Sequence, residues 1–181
     1  MIITETVFSM DGDICPLPEF VELKNKYKCS LMVDEAHATG IFGKDGAWIV
    51  EEFGLQDQVE LIMGTFSKAL GSFGAYLATS REIVDYLVNT CRSFIYSTAL
   101  PPAVIAANIV SIDVVRKEPF RRQQLLDSAR IFRKSLLDRG IAAKGNSQIV
   151  PVVTGENDKT VILARKLQEK GFWVLPIRPP T

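Results

Sequence analysis

Short apolar runs alternate along this chain with stretches in which apolar positions recur at helical spacing, the pattern of a mainly parallel sheet covered by helices. The strand-like runs are Met1 to Thr6, Leu31 to Asp34, Leu61 to Thr65 and Ala75 to Thr79. Between them, Leu17 to Tyr27 opens with Pro18 and sets Phe20, Val21 and Leu23 on one side, and Ala47 to Phe53 gives a shorter helix closed by Gly54. Arg81 to Phe94 reads as one helix. Pro101-Pro102 opens a long apolar helix through Val115 that ends near Pro119, and a further helix runs to Arg139 and stops at Gly140. Beyond it the pattern predicts a strand over Ile149 to Val153, a helix over Asp158 to Lys170 and a strand over Trp173 to Leu175.

The predicted class is therefore α/β. Residues 1–118 form one unit built on the sheet, and residues 119–181 a linking helix and the start of a smaller α+β unit. Both ends read as cut: the chain opens directly on a strand-like run and stops just past another.

Composition sharpens this only by exclusion. The 181 residues are 47% hydrophobic and 23% charged, with formal net charge +0, which gives no electrostatic footprint for nucleic acid. One basic cluster, Arg121, Arg122, Arg130, Arg133 and Lys134, shares its helix with Asp127 and Asp138 and reads as a solvated face. Cys15, Cys29 and Cys91 are odd in number and far apart, so neither a disulfide framework nor a zinc site is suggested, and a reducing cytoplasm suits them. No apolar run reaches membrane-spanning length and no secretion signal opens the chain, so no membrane partner is expected.

The candidate chemistry lies where strands end, the place at which open α/β sheets bind ligands. Asp34 closes one strand run and His37 follows it; Thr65 closes another, and Ser67 and Lys68 follow within G-T-F-S-K-A-L-G. A lysine amine can form a Schiff base with an aldehyde cofactor and then carry a proton. A carboxylate can hold the proton on a pyridine nitrogen, and hydroxyls with nearby backbone N–H groups can hold a phosphate. Pyridoxal phosphate needs all three. Taken singly the residues have plainer roles: Lys68 as a solvated charge, Asp34 as a cap or turn residue, His37 bonded to its own loop, and Ser9 as a turn residue before Asp11-Gly12.

T-E-T-V-F-S-M-D-G-D from Thr4, V-D-E-A-H-A-T-G from Val33, G-T-F-S-K-A-L-G from Gly64, Y-S-T-A-L-P-P from Tyr96 and I-R-P-P-T from Ile177 together resemble the α-oxoamine synthases. These are fold-type I pyridoxal-phosphate enzymes that condense an amino acid with an acyl-CoA and release carbon dioxide. The resemblance implies the aspartate aminotransferase-like large domain, with Lys68 as the Schiff-base lysine and general base. It implies that Asp34 pairs with the pyridine nitrogen, that His37 and Ser9 contact the phenolic oxygen, and that Thr65 binds phosphate. Ser97 and Thr98 would reach the phosphate of a neighbouring subunit, which makes a homodimer with a shared site part of the expectation; the plainer role for Ser97 is a cap before Pro101. Glu5 lies close to the site without an assigned role.

Y-S-T-A-L-P-P and I-R-P-P-T are most similar to the biotin-pathway branch, which joins L-alanine to a pimeloyl thioester. Sister activities on glycine with acetyl- or succinyl-CoA, or serine with palmitoyl-CoA, are the alternatives, as is a non-catalytic truncated product. The family also uses a glycine-containing phosphate loop, a ring-stacking histidine and a carboxylate-binding arginine that this sequence does not contain. The chain alone is accordingly expected to be inactive.

Overall fold

The computed structural model describes residues 1–179. Pro180 and Thr181, the end of I-R-P-P-T, lie outside the described residues.

Strands β1 (Ile2–Glu5), β2 (Leu31–Asp34), β3 (Leu61–Thr65) and β4 (Ala75–Thr79) form one sheet in the order β1-β2-β3-β4. β1, β2 and β3 run parallel, and β4 returns antiparallel to β3, so the sheet is mainly parallel with an antiparallel last strand. The register aligns Glu5 with Asp34 and Asp34 with Met63. The carboxyl ends of the parallel strands therefore share one edge.

The alternation of side chains along a strand sorts this sheet. Leu31 and Val33 point into the core and pack with Val7, Leu17, Val21, Ile49, Val50 and Ile62. Helix α1 (Leu17–Tyr27) carries Pro18 in its first turn, where a missing N–H costs nothing, and ends on Lys28 at φ 50, where the Lys28 N–H returns to the Asn25 carbonyl and the Cys29 N–H to that of Lys24. Its buried positions are Leu17, Val21 and Lys24, with Phe20 packed partly on the core; Leu23, expected beside them, faces out. Lys24 is tolerated inside because its ammonium pairs with Glu60. Helix α2 (Ile49–Glu52) is shorter than the expected span from Ala47 to Phe53.

The expected helix from Arg81 to Phe94 is two: α3 (Arg81–Thr90) and α4 (Arg92–Ile95). Asn89 and Thr90 turn their side chains back to the Asp85 and Tyr86 carbonyls, and Cys91 goes extended at ψ 102. Helices α5 (Pro102–Lys117) and α6 (Pro119–Leu137) meet at Glu118, because Pro119 forbids a helical residue before it.

The face of basic residues on α6 is not merely solvated. Arg122 donates to the Val115 and Lys44 carbonyls, and Arg133 to those of Lys144, Ser147 and Ile149.

Neither late strand forms. Near Ile149–Val153 there is only a bridge between Ala143 and Val152, and around Trp173–Leu175 the chain is irregular, with Trp173 82% exposed. A strand exists only with a partner edge: the first segment finds no more than that one bridge, and no strand pairs with the second among the described residues. Helix α7 (Asn157–Glu169) matches its expectation within a residue at each end. Among the described residues no helix is long and apolar enough to cross a membrane.

Candidate active site

The parallel register delivers Glu5 and Asp34 to one edge, and the segments leaving β1, β2 and β3 carry Ser9, His37 and Lys68 from that edge. The charges meet at His37. Burial holds its imidazole pKa below the ordinary value and the Lys68 ammonium adds to this, while the carboxylates of Glu5 and Asp34 pull it up. Glu5, Asp34 and Lys68 thus all lie within electrostatic reach of one side chain.

Asp34 Oδ1 accepts the Ala36 N–H at 2.8 Å, the turn contact expected of an aspartate ending a strand. No hydrogen bond engages its second oxygen among the described residues. The backbone of His37 is tied as well: its carbonyl accepts Gln148 Nε2 at 2.7 Å, so a segment more than a hundred residues later in sequence braces the turn. Ser9 lies in the turn leading to Asp11-Gly12 and donates its N–H to Glu5 Oε2 at 3.3 Å, as the plainer reading had it.

The Lys68 segment is a closed loop between β3 and β4. Phe66 N–H reaches the Gly74 carbonyl at 2.9 Å, Ser72 N–H the Phe66 carbonyl at 2.8 Å and Gly71 N–H the Lys68 carbonyl at 3.0 Å. The Thr65 hydroxyl donates to the Gly74 carbonyl at 3.0 Å. With its proton committed there, it accepts from Ser67 Oγ at 2.7 Å and from Ser67 N–H at 3.1 Å. Thr65 is buried and clamps the loop mouth, whereas Lys68 is exposed.

Ser97 and Thr98 are exposed beyond α4. The Ser97 hydroxyl bonds back to the Ser93 carbonyl rather than capping α5, whose cap is Pro101 without a side-chain bond. No hydrogen bond joins either residue to the Asp34–Lys68 group.

Sequence reasoning missed Glu35, Thr39, Tyr76 and Gln148. Glu35 is fully buried: Oε2 accepts the Thr6 hydroxyl at 2.6 Å and Ile49 N–H at 3.0 Å, and Oε1 accepts Val50 N–H at 2.9 Å. The strand alternation Leu31, Val33, Glu35 would have placed it on the core face. The other three are brought in by tertiary contact and carry no local signal.

A sequence model of the family described as aminotransferase class I and II matches residues 1–181. The chain is 47% identical over 184 residues to an 8-amino-7-oxononanoate synthase of Geobacter sulfurreducens, covering 100% of this chain and 47% of that one. A solved structure of serine palmitoyltransferase with its pyridoxal-phosphate internal aldimine superposes with a TM-score of 0.93 at 32% identity, covering 98% of this chain and 46% of that one. The 8-amino-7-oxononanoate synthase of Francisella tularensis superposes with a TM-score of 0.87 at 26% identity, covering 97% of this chain and 52% of that one. The chain spans about half the length of the curated relatives it matches.

Proposed function

This chain belongs to the aminotransferase class I and II family, and on that premise we propose that it carries the catalytic lysine segment of an α-oxoamine synthase. Its α/β fold is that of the large domain of pyridoxal-phosphate-dependent transferases. The observation that carries the proposal is the convergence of Asp34, His37 and Lys68 at the carboxyl edge of the parallel strands.

The side chains present fit pyridoxal phosphate in their donor chemistry. Lys68 offers an exposed primary amine, Asp34 a carboxylate oxygen without a hydrogen bond among the described residues, and His37 a half-buried imidazole. When bound, the cofactor supplies an electron sink for a carbanion at the α-carbon of an amino acid. Lys68 would anchor the aldehyde and, once released, accept the α-proton at Nζ. Asp34 would keep the ring nitrogen protonated, and His37 and Ser9 would orient the phenolic oxygen. For phosphate, both hydroxyl protons are engaged in this arrangement, that of Thr65 on the Gly74 carbonyl and that of Ser67 on Thr65 Oγ1, so a bound phosphate would take Thr65 or Ser67 as donor by turning one of them away from its present acceptor.

The reaction proposed for the whole protein is the decarboxylating condensation of L-alanine with a pimeloyl thioester, a step of biotin biosynthesis. Identity to the curated relative, 47% to the oxononanoate synthase of Geobacter sulfurreducens, supports this branch; between the two solved structures the palmitoyltransferase, at 32% against 26% for the Francisella synthase, keeps serine-using chemistry as the alternative. We place the enzyme in the cytoplasm as a homodimer with a shared site. The exposed apolar side chains of Phe94, Tyr96 and Ile109 support the dimer, and the outward position of Ser97 and Thr98 suits residues serving a neighbouring copy. Residues 1–118 belong to the large domain in this reading and 119–181 lead into a smaller one.

The test is to mix the purified chain with pyridoxal phosphate, reduce with borohydride and map the pyridoxyl group. Label on Lys68, absent in Lys68→Ala, is expected; label spread over surface lysines would sink the proposal. Turnover of alanine with pimeloyl-CoA is not expected from the chain alone.

A further inference from the structure

Tyr76 lies in β4 directly across from Gly64 in β3. Its hydroxyl accepts the Trp48 Nε1–H at 2.7 Å and stands 3.0 Å from Thr39 Oγ1. Thr39 spends its own proton on the Glu35 carbonyl at 2.9 Å, so the proton between Tyr76 and Thr39 comes from Tyr76. The chain of donors runs one way, from Trp48 through Tyr76 and Thr39 to the backbone of the turn that bears Asp34 and His37. The ring of the same tyrosine packs on Phe66, centroids 5.4 Å apart and tilted by 59°, just before Lys68 in the loop. The route is open only because residue 64 is glycine. A Cβ there would lie 2.2 Å from Tyr76 Oη and 2.8 Å from Thr39 Oγ1.

We propose that Tyr76 is a positioning residue that fixes the spacing between the Asp34–His37 turn and the Lys68 loop. The inference rests on the reading of these residues as one cofactor site and deepens it. β2 and β3 set the starting points of turn and loop, but both continue beyond the last sheet hydrogen bond. Past that point Tyr76 joins them through a single rigid ring, with a hydrogen bond to one and an aromatic contact to the other.

His37 is the only histidine, so its imidazole signal in an NMR titration reports on the site without assignment. Tyr76→Phe keeps the contact with Phe66 and removes the bond to Thr39 with that from Trp48; Thr39→Val removes the shared bond from the other side with that to the Glu35 carbonyl. Loosening the turn should expose His37 and move it away from Lys68, so its midpoint is expected to rise in each single variant, with the double rising by less than the sum of the two. Far-UV circular dichroism confirms that each variant is folded, and if Tyr76→Phe fails to fold, Thr39→Val is judged by the same criterion. A midpoint that stays or falls in folded single variants, or shifts that add in the double, overturns the proposal. Borohydride labelling of the unaltered chain is scored separately: no label on Lys68 removes the cofactor reading, whatever the His37 titration shows.

Discussion

Removing the Glu35 carboxylate should cost more than removing any single charge on the surface of this chain. Glu35→Ala deprives three donors of their acceptor. The Thr6 hydroxyl can turn to the Asp34 carbonyl 3.3 Å away, so its loss is small. The Ile49 and Val50 N–H groups have no such recourse: they open α2, and the cap residue Trp48 supplies no side-chain acceptor. A buried donor left without a partner costs about 1–3 kcal/mol, so two cost about 2–6 kcal/mol before any cavity is counted. At roughly 2–4 °C per kcal/mol for a chain of this size, the melting temperature should fall by at least about 4 °C.

Glu35→Gln keeps one acceptor oxygen and turns an amide against the other N–H, so its melting temperature should lie between wild type and Glu35→Ala. The pH dependence adds a second check. Burial raises the Glu35 pKa above its ordinary 4.5, against the opposing hydrogen bonds from Thr6, Val50 and Ile49. The folded chain therefore holds this proton more tightly than the unfolded chain. Its contribution to stability is complete below pH 4.5 and fades as pH rises through the raised value, a slope that Glu35→Gln should abolish. Thermal melts followed by circular dichroism, with hydrogen exchange at Ile49 and Val50, measure all of this. A Glu35→Ala protein melting within about 1 °C of wild type, with both amides equally protected, would refute the reasoning.

Other expectations follow from the same contacts. Lys68→Met should raise the titration midpoint of His37, because it removes the cation that helps hold it down; an unchanged midpoint would place Lys68 outside electrostatic reach. Gly64→Ala should destabilise by about 1–3 kcal/mol through the clash with Tyr76, read as a lower urea midpoint, and an unchanged midpoint would mean that the tyrosine has room to move. Ser147→Ala loses a bond to the Gly12 carbonyl at 2.7 Å and the acceptor of Ile149 N–H at 3.2 Å. It should cost about 1–3 kcal/mol and speed proteolysis near residues 144–149, and unaltered cleavage there would argue that Arg133 and the Asn146 and Ser147 N–H bonds to Gly12 hold the segment without the hydroxyl.

Much of this protein was legible in its sequence, for reasons that differ by element. The runs at Leu31–Asp34, Leu61–Thr65 and Ala75–Thr79 are strands over those same residues, because apolar residues of the right length between breakers leave the chain little else to form. Proline placed the starts of α1 and α5, since it fits the first turn of a helix, and Pro119 placed the end of α5. Asp34, His37 and Lys68 could be set at one edge as soon as their strands were taken as parallel.

What lacked a local cause could not be read. Ile149–Val153 and Trp173–Leu175 have strand composition, yet strand formation is decided by a neighbouring edge. Thr65 looked like a phosphate donor, and only the approach of the Gly74 carbonyl showed where its proton goes. The sequence by itself determined where the four sheet strands and most helices lie and which side chains are candidates for chemistry, because propensity and periodicity act between near neighbours. Only the tertiary structure decided how those side chains are held: Glu35 on α2, Tyr76 on Thr39 and Gln148 on His37 are bonds between residues far apart in the chain, whose geometry exists only once the sheet has formed.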